Sequence, residues 1–358
     1  MASAPLSSAS PIGSQSDGTY TPVHVWFVVL PDSLLLDLAG PAEAFRLANQ
    51  QLARRGLPAH FQLHFAGTDA GNTSSVGLAL TGLELLPASL PAASWVVLLG
   101  RPGDGADVVR PAPAWLAARH WLSQVVAPAL ALPATPHRLL TVCSGALLAA
   151  DAGLLSGRQA TTHHELLDEL ARLAPTADVV ANRVFVADGP VLTSAGVTAG
   201  IDLALHLIAD ALGEGLTSAV AQVMVVFHRR AADDPEQSPL LAGRRHLHPA
   251  VHAVQNAVVD APGEDWTLDR LAARAHVTPR HLGRLFQQHA GISPREHVEQ
   301  VRLALADEAL RRGLTVQAAV DLAGFHNERQ WRRAAARRRA LSPANRADAD
   351  PQPAARAS

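Results

Sequence analysis

The residue of this chain best suited to nucleophilic chemistry is Cys143, its single cysteine. It follows a short apolar run at residues 139–142 and precedes Ser144 and Gly145, which open a predicted helix. A thiol at such a strand-to-helix turn has the geometry of a nucleophile elbow, and the helix dipole and free N–H groups there lower the pKa of a thiol. Lone cysteines are also commonly small buried apolar residues, so a reactive and a structural Cys143 both remain open.

Histidines are the next candidates for acid–base or metal chemistry, and His163 and His164 are adjacent. Neighbouring residues point in different directions and no third ligand is spaced to join this pair, so the sequence predicts no metal site. A single cysteine also excludes an intramolecular disulfide and a multi-cysteine zinc site. We therefore expect neither a metal nor another cofactor.

Charge is distributed unevenly along the chain. Residues 1–239 contain 12 Arg and 20 acidic residues, whereas residues 240–346 contain 17 Arg and 10 acidic residues. A basic part joined to an acidic part is typical of a protein that binds nucleic acid through one domain. A solvated basic face is the alternative interpretation.

Two kinds of architecture are predicted to position these residues. Short apolar runs at residues 23–30, 61–65, 95–99 and 139–142 predict buried parallel strands, and amphipathic stretches at residues 41–55, 113–126 and 198–212 predict helices between them. This alternation predicts a doubly wound, flavodoxin-like α/β domain over residues 21–230. Residues 231–243 predict a linker, residues 244–346 an all-α domain, and residues 1–20 and 347–358 disordered tails.

A membrane location is not expected. A spanning helix needs roughly 18 consecutive apolar residues, and the most apolar long stretch, residues 139–155, is interrupted by Ser144 and Asp151. The first twenty residues lack the basic and apolar regions of a signal peptide. Together with the single cysteine, which suits a reducing compartment, these features predict a cytoplasmic protein.

The all-α part is predicted to contain two helix-turn-helix units. Thr267 caps a helix that runs to residue 275, and Pro279 begins a second helix that runs to about residue 290. Ser293 and Glu296 form a capping box for a connecting helix, after which residues 315–323, 324–327 and 328–338 repeat the helix, turn and helix. Such a pair presents two recognition helices to major grooves roughly 34 Å apart.

Residues 248–346 resemble the AraC-type DNA-binding domain through LAARAHVTPRHLGRLFQQHAGISPREHVEQVRLALADEAL and TVQAAVDLAGFHNERQWRRAAARRRALSP. The resemblance implies binding to double-stranded DNA. It also implies that base edges are faced by Arg280, Gly283 and Arg284 of the first recognition helix and by Glu328, Arg329, Arg332 and Arg333 of the second.

Arg280 and Arg284 are the main candidates for reading sequence, because an arginine on guanine gives about 1–3 kcal/mol of discrimination whereas Gly283 has no side chain. The remaining arginines are expected to contact phosphates. The second unit departs from the family pattern at Ala335, Arg339 and Ala340, where aromatic residues and a glycine are usual, and Trp331 is expected to compensate in part.

Residues 23–230 resemble the PfpI superfamily, also described as class I glutamine amidotransferase-like, through VVLPDSLLLDLAGPAEAF, TVCSGALLAADAGLLSGRQATTHH and TSAGVTAGIDLALHLI. The DLAGP and ATTH segments look most like isocyanide hydratases and the sensor domains of GlxA-type regulators. In these relatives the cysteine faces an acidic residue from the loop after the first strand. It corresponds to Asp37, which the resemblance implies as a general acid. An ordinary helix-start role for Asp37 before Pro41 is the alternative.

Two departures from the superfamily argue against catalysis. Ser144 stands where protease-like members have a histidine, so the resemblance does not imply a peptidase. Gly100 is followed by Arg101, whereas active relatives commonly have a glycine pair that supplies N–H groups to an oxyanion.

The sequence therefore predicts a DNA-binding transcriptional regulator of the GlxA type, whose PfpI-like domain senses a small-molecule effector or mediates dimerisation. A homodimer would suit paired half-sites. The alternative is a cysteine-dependent hydratase or hydrolase of the isocyanide hydratase type that uses Cys143 and Asp37. A third hypothesis makes Cys143 a redox or electrophile sensor.

Overall fold

The computed structural model describes residues 22–226, 229–236, 244 and 246–341. The chain divides into two compact units, Met1–Glu236 and Gln237–Ser358. The predicted tails at residues 1–20 and 347–358, and residues 237–243 of the predicted linker, lie outside the described residues.

The first unit is built on a seven-stranded sheet, because its short runs rich in valine and leucine suit strands that are buried on both faces. The strand order is β10-β11-β7-β6-β1-β2-β5, and each neighbouring pair is parallel except β10 and β11. Two small sheets pair β3 with β4 and β8 with β9. The strands are β1 Val23–Val28, β2 Phe61–Gly67, β3 Gly71–Thr73, β4 Ala79–Thr81, β5 Glu84–Leu85, β6 Ser94–Leu98, β7 Arg138–Val142, β8 Gln159–Ala160, β9 Asp178–Val179, β10 Phe185–Asp188 and β11 Val191–Ser194.

Helices cover both faces of this sheet. They are α1 Leu35–Ala53, α2 Gly105–Val108, α3 Pro113–Trp121, α4 Ala127–Leu130, α5 Gly145–Asp151, α6 Leu167–Leu173, α7 Ala199–Leu212 and α8 Glu214–Val223, with a π-helical turn Leu122–Val126 and a 3-10 turn His164–Leu166. Alternate residues of a strand enter opposite cores: in β6, Trp95 and Val97 pack with α1 and α7, whereas Val96 and Leu98 pack with α3 and α5. The predicted doubly wound α/β fold is confirmed.

Helix α1 begins six residues earlier than predicted, at Leu35 rather than Pro41. Proline favours the first turn of a helix, but here Pro41 lies inside it. The turn before Pro41 packs closely against α7. A Cβ atom added to Gly40 would lie only 2.7 Å from Ile201 Cγ1 of α7, so the glycine allows this close contact. Asp37 therefore lies in the first turn of α1 and not in a loop after β1.

The second unit contains six described helices, α9 Pro249–Asp260, α10 Leu268–Arg274, α11 Pro279–Ala290, α12 Pro294–Arg311, α13 Val316–Leu322 and α14 Glu328–Leu341. Side-chain oxygens cap α10 to α13, and among them the predicted cap at Thr267 and the predicted reciprocal capping box of Ser293 and Glu296 are present. One apolar core joins α9, α10, α11 and the first half of α12, and a smaller core joins the second half of α12 to α13 and α14. The predicted all-α, helix-turn-helix architecture is confirmed.

None of the helices among the described residues combines the length and the apolar character required to cross a lipid bilayer.

Candidate functional site

Cys143 lies in the turn between β7 and α5, at the edge of the sheet where the parallel strands end. Its φ is +55°, a left-handed conformation that costs a non-glycine residue roughly 1–3 kcal/mol. The turn is tight enough to require Gly145, where a Cβ would lie 2.4 Å from the carbonyl oxygen of Leu98. This is the sharp strand-to-helix turn that the sequence pattern indicated.

The Cys143 thiol is buried, and backbone N–H groups of Ser144 and Val197 donate to it. Burial, and to a lesser extent the negative charges of Asp37 and Glu236, nevertheless raise the pKa of Cys143 to about 12, because the two N–H groups offset only part of this effect. The N–H groups at the turn therefore lower this pKa as expected, but desolvation outweighs them and the net pKa of the thiol is raised. The thiol stays protonated at neutral pH, and a protonated thiol is a poor nucleophile.

Asp37 and Cys143 both lie against Gly100. A Cβ atom added to Gly100 would lie 2.7 Å from Asp37 Oδ2 and 2.9 Å from Cys143 Cβ, so the two side chains are close neighbours. The N–H of Gly100 donates to Asp37 Oδ2 at 3.0 Å, whereas Oδ1 has no hydrogen-bond partner among the described residues. Burial raises the pKa of Asp37 to about 7, and the hydrogen bond from Gly100 opposes that shift. The carboxyl group is therefore partly protonated at neutral pH.

The backbone N–H groups that would bind an oxyanion already have acceptors. Gly100 donates to Asp37, and the N–H of Arg101 donates to Ser144 Oγ at 2.7 Å. The hydroxyl of Ser144 in turn donates to the carbonyl oxygen of Arg101 at 2.9 Å. Ser144 therefore does more than replace the histidine of protease-like relatives, because its bridge to Arg101 closes the position that a reacting oxygen would need.

His163 and His164 lie beside the same turn. A Cβ at Gly196 would lie 3.2 Å from His163 Cδ2 and 3.3 Å from Cys143 Sγ. The two imidazole centroids are 4.1 Å apart, and ligand atoms of His163, His164 and Glu165 all lie within 4.8 Å of one another. The prediction that the histidines diverge without a third ligand was wrong, because the 3-10 turn brings Glu165 Oε2 back to 3.7 Å from His163 Nδ1.

Residues 229–236, here called the return segment, fold back onto the first unit and include the first half of the predicted linker. Arg230 forms an ion pair with Asp202 at 2.6 Å, and Asp234 accepts the N–H of Val184 at 3.1 Å. At its end, Glu236 Oε1 lies 2.7 Å from His164 Nδ1 and accepts the His164 N–H at 3.2 Å. The last residue described before residues 237–243 is therefore bonded to the loop beside Cys143.

A different group of candidate residues lies on α11 of the second unit. Arg280 and Arg284 are exposed, and Arg284 Nη2 lies 3.2 Å from His281 Nδ1. Gly283 is half-buried, with open space where a Cβ would be. Thr278 accepts the N–H of His281 and so defines the first turn of the helix, which presents Arg280 at its N-terminal end.

Helix α14 carries the other predicted DNA-facing residues. Arg329 and Arg333 are exposed and one helical turn apart, whereas Arg332 forms an ion pair with Glu328 at 2.5 Å. The middle of this helix packs through small residues, since Ala334 and Ala335 are buried. Phe325 and, at the rim, Trp331 complete this core, which therefore needs no further aromatic ring at Ala335; the side chains of Arg339 and Ala340 lie outside the described residues.

Several of the arginines assigned to phosphates instead hold the second unit together. Arg302 is buried and donates to the carbonyl oxygens of Pro262 and Glu264 at 2.9 and 2.7 Å. Two more join α14 to α12: Arg337 pairs with Glu299 at 2.6 Å and Arg338 pairs with Asp307 at 2.7 Å. Their partners lie 31 to 40 positions away along the chain, so the sequence alone does not distinguish these arginines from phosphate-binding ones.

Comparison with known proteins relates both units to described families. Residues 134–210 match the DJ-1/PfpI family, and residues 271–347 match a helix-turn-helix domain. The HTH-type transcriptional regulator Rv1931c of Mycobacterium tuberculosis is 30% identical over 268 residues, which cover 69% of this chain and 97% of that protein. The HTH-type transcriptional regulator GbdR of Pseudomonas aeruginosa is 28% identical over 312 residues, covering 85% and 78%.

An enzyme is also among the similar proteins. The isonitrile hydratase of Pseudomonas putida is 45% identical over 76 residues, which cover 20% of this chain and 31% of the hydratase. The similarity to regulators extends over most of the chain, whereas the similarity to this enzyme is confined to a short segment.

Proposed function

Because the chain belongs to the family of HTH-type transcriptional regulators, with a DJ-1/PfpI region and a helix-turn-helix domain, we propose that its second unit reads DNA sequence through Arg280 and Arg284. We also propose that its first unit binds a small-molecule effector at the cysteine elbow. The protein is a DNA-binding transcriptional regulator; the residues that read bases, the effector site, a homodimeric state and a cytoplasmic location are parts of the proposal.

The exposed face of α11 carries the DNA-reading part of this proposal. In helix-turn-helix proteins the N-terminal residues of the recognition helix contact base edges, and Arg280 and Arg284 lie on the first two turns of α11. Both guanidinium groups have donors free to form the bidentate contact with guanine O6 and N7. Gly283 between them lets the backbone approach the groove closely, since no side chain stands there.

Helix α14 plays a second, weaker part in this reading. Arg329 and Arg333 are available to bases or phosphates, while the carboxylate of Glu328 holds Arg332 in place. A carboxylate also accepts from cytosine N4, so this pair is suited to a G·C step. Two such helices in each chain fit the paired half-sites that a homodimer would bind.

The hydrogen bonds around Cys143 favour an effector site over an active site. Its thiol is protonated at neutral pH, and the N–H groups of Gly100 and Arg101 are already paired. A ligand bound there would meet a neutral thiol and a partly protonated carboxyl group rather than an activated nucleophile and an open oxyanion hole. Both observations weigh against the hydratase alternative, which rests on Cys143 and Asp37.

Selection of bound DNA from a random pool, with full-length protein at two salt concentrations, tests the DNA-reading proposal. We expect an enriched motif, and we expect Arg284→Ala to lose preference at one base position by about 5- to 150-fold, the equivalent of about 1–3 kcal/mol. Arg312→Ala is the matched control, because Arg312 is exposed at the end of α12 and pairs with Glu308. An identical motif in the Arg284→Ala variant, or no motif from the wild type, would refute the proposal.

A further inference from the structure

His164 has the hydrogen-bonding arrangement of a metal-binding histidine. Its Nδ1 faces the carboxylate of Glu236 at 2.7 Å, and its Nε2 is buried with no hydrogen-bond partner among the described residues. Since the carboxylate accepts a proton from Nδ1, the neutral ring has its lone pair on Nε2. A ring that donates one N–H to a carboxylate and directs the other nitrogen at a cation is the usual arrangement of a histidine ligand.

Two further donors accompany this ring. Ligand atoms of His163, His164 and Glu165 lie within 4.8 Å of one another. Donors around a tetrahedral zinc ion lie about 3.4 Å apart, because each is about 2.0–2.2 Å from the metal. The bound of 4.8 Å is about 1.4 Å wider than this spacing, so binding an ion requires the three side chains to rotate toward one another.

We propose that His163, His164 and Glu165 form a binding site for a divalent transition-metal cation of the zinc type in the first unit. Two imidazole nitrogens and one carboxylate oxygen suit zinc, cobalt, nickel or iron, whereas magnesium and calcium prefer oxygen donors alone. Three protein ligands leave a coordination position open. The site is close to Cys143, since a Cβ at Gly196 would lie 3.2 Å from His163 Cδ2 and 3.3 Å from Cys143 Sγ.

The site is connected to the return segment through Glu236. This carboxylate holds His164, and it is also the last residue of the first unit, directly before residues 237–243. A cation on Nε2 makes the Nδ1–H a better donor, which strengthens the bond to Glu236. The cation therefore anchors the end of the return segment. This inference rests on the proposed function, because the cation would be part of the effector site in the first unit.

Titration of full-length protein, stripped of metal with a chelator, tests the site with Co²⁺ as the probe. We expect one Co²⁺ per chain with visible absorption bands of a four- or five-coordinate complex, and displacement by Zn²⁺. The His164→Ala variant should lose this binding, and Glu236→Gln should weaken it by about 10- to 100-fold, as loss of an outer-shell partner does. His120→Ala is the matched control, since His120 is exposed on α3 and should bind Co²⁺ as the wild type does.

A second histidine cluster provides the decisive comparison. The rings of His246, His248, His252 and His289 are 4.4–5.8 Å apart in neighbouring pairs, and His248→Ala combined with His252→Ala removes two of them. Binding that survives this double variant but not His164→Ala supports the proposal. Loss in the double variant alone, or no binding by the wild type, overturns it. Thermal unfolding of each metal-free variant verifies that it folds. DNA selection with the same proteins shows whether they still bind DNA, so loss of metal binding can be told apart from loss of DNA binding.

Discussion

Desolvation governs the chemistry of individual residues at the cysteine elbow. Cys143 and Asp37 are buried together, and burial is the largest cause of the raised pKa of each. A buried charge without a close partner is costly, so burial shifts both groups toward their neutral forms, and the helix N-terminus does not reverse that shift. The elbow therefore presents a thiol and a carboxyl group suited to hydrogen bonding with a ligand.

Alkylation of Cys143 at pH 7.5 is expected to be slow in the folded protein and fast after denaturation. The reactive species is the thiolate, and a pKa of about 12 leaves almost none of it at that pH, whereas an unfolded thiol titrates at about 8.5. Mass spectrometry after timed exposure to iodoacetamide measures the two rates. Rapid labelling of the folded protein would contradict the raised pKa of Cys143 and would support the hypothesis that Cys143 is a redox or electrophile sensor.

Asp37 should make the first unit less stable as pH rises. Its folded pKa of about 7 is above the ordinary 3.8, so the folded state binds the proton more tightly. The resulting stability is fully present below about pH 4 and is lost as pH rises to about 7. In Asp37→Asn this loss should disappear, which thermal unfolding at pH 5 and pH 7.5 measures. Asp69→Asn, at an exposed position, should keep the wild-type pH dependence; equal pH dependence in both variants would be evidence against the shift.

At the scale of elements, caps and close packing decide where helices begin. Helix α11 begins at the Thr278 cap and ends at Gly291, whose φ of +71° suits glycine. Helix α1 has no side-chain cap and begins at Leu35 because its first turn packs against α7. A helix defined by its own cap is predictable from a few neighbouring residues, whereas one defined by its neighbour is not.

Loss of the Thr278 cap should destabilise the second unit and weaken DNA binding. Thr278→Ala removes the acceptor for the N–H of His281, which typically costs about 1 kcal/mol. Thr278→Ser keeps the hydroxyl and should behave nearly as the wild type does. Denaturant unfolding and DNA affinity give the two measurements, and equal effects of both substitutions would show that the hydroxyl group does not matter.

At the scale of the whole molecule, the chain combines two units that have separate cores and opposite charge. The first unit has one core on each face of its sheet, and the second has two smaller cores, one for each helix-turn-helix. The basic charge lies in the second unit, where unpaired arginines attract DNA phosphates. The acidic first unit adds no such attraction, which suits a part that binds a different kind of ligand.

Thermal unfolding of the full chain should show two transitions, because each unit buries its own apolar residues. Thr278→Ala should lower the midpoint of one transition, and Asp37→Asn at pH 7.5 should raise the midpoint of the other. Differential scanning calorimetry resolves the two. A single transition shifted by both substitutions would instead show that the units unfold together.

The sequence by itself determined the fold class, the helix-turn-helix pair, its caps and the turn at Cys143. These features depend on the period of apolar residues and on caps only a few positions away, and such signals are local. Tertiary structure alone decided the protonation of Asp37, the pairing of Arg101 with Ser144 and the contact between His164 and Glu236. Asp37 and Gly100 are 63 residues apart and His164 and Glu236 are 72 apart, so desolvation and pairing at these sites arise only when the sheet brings distant loops to one edge.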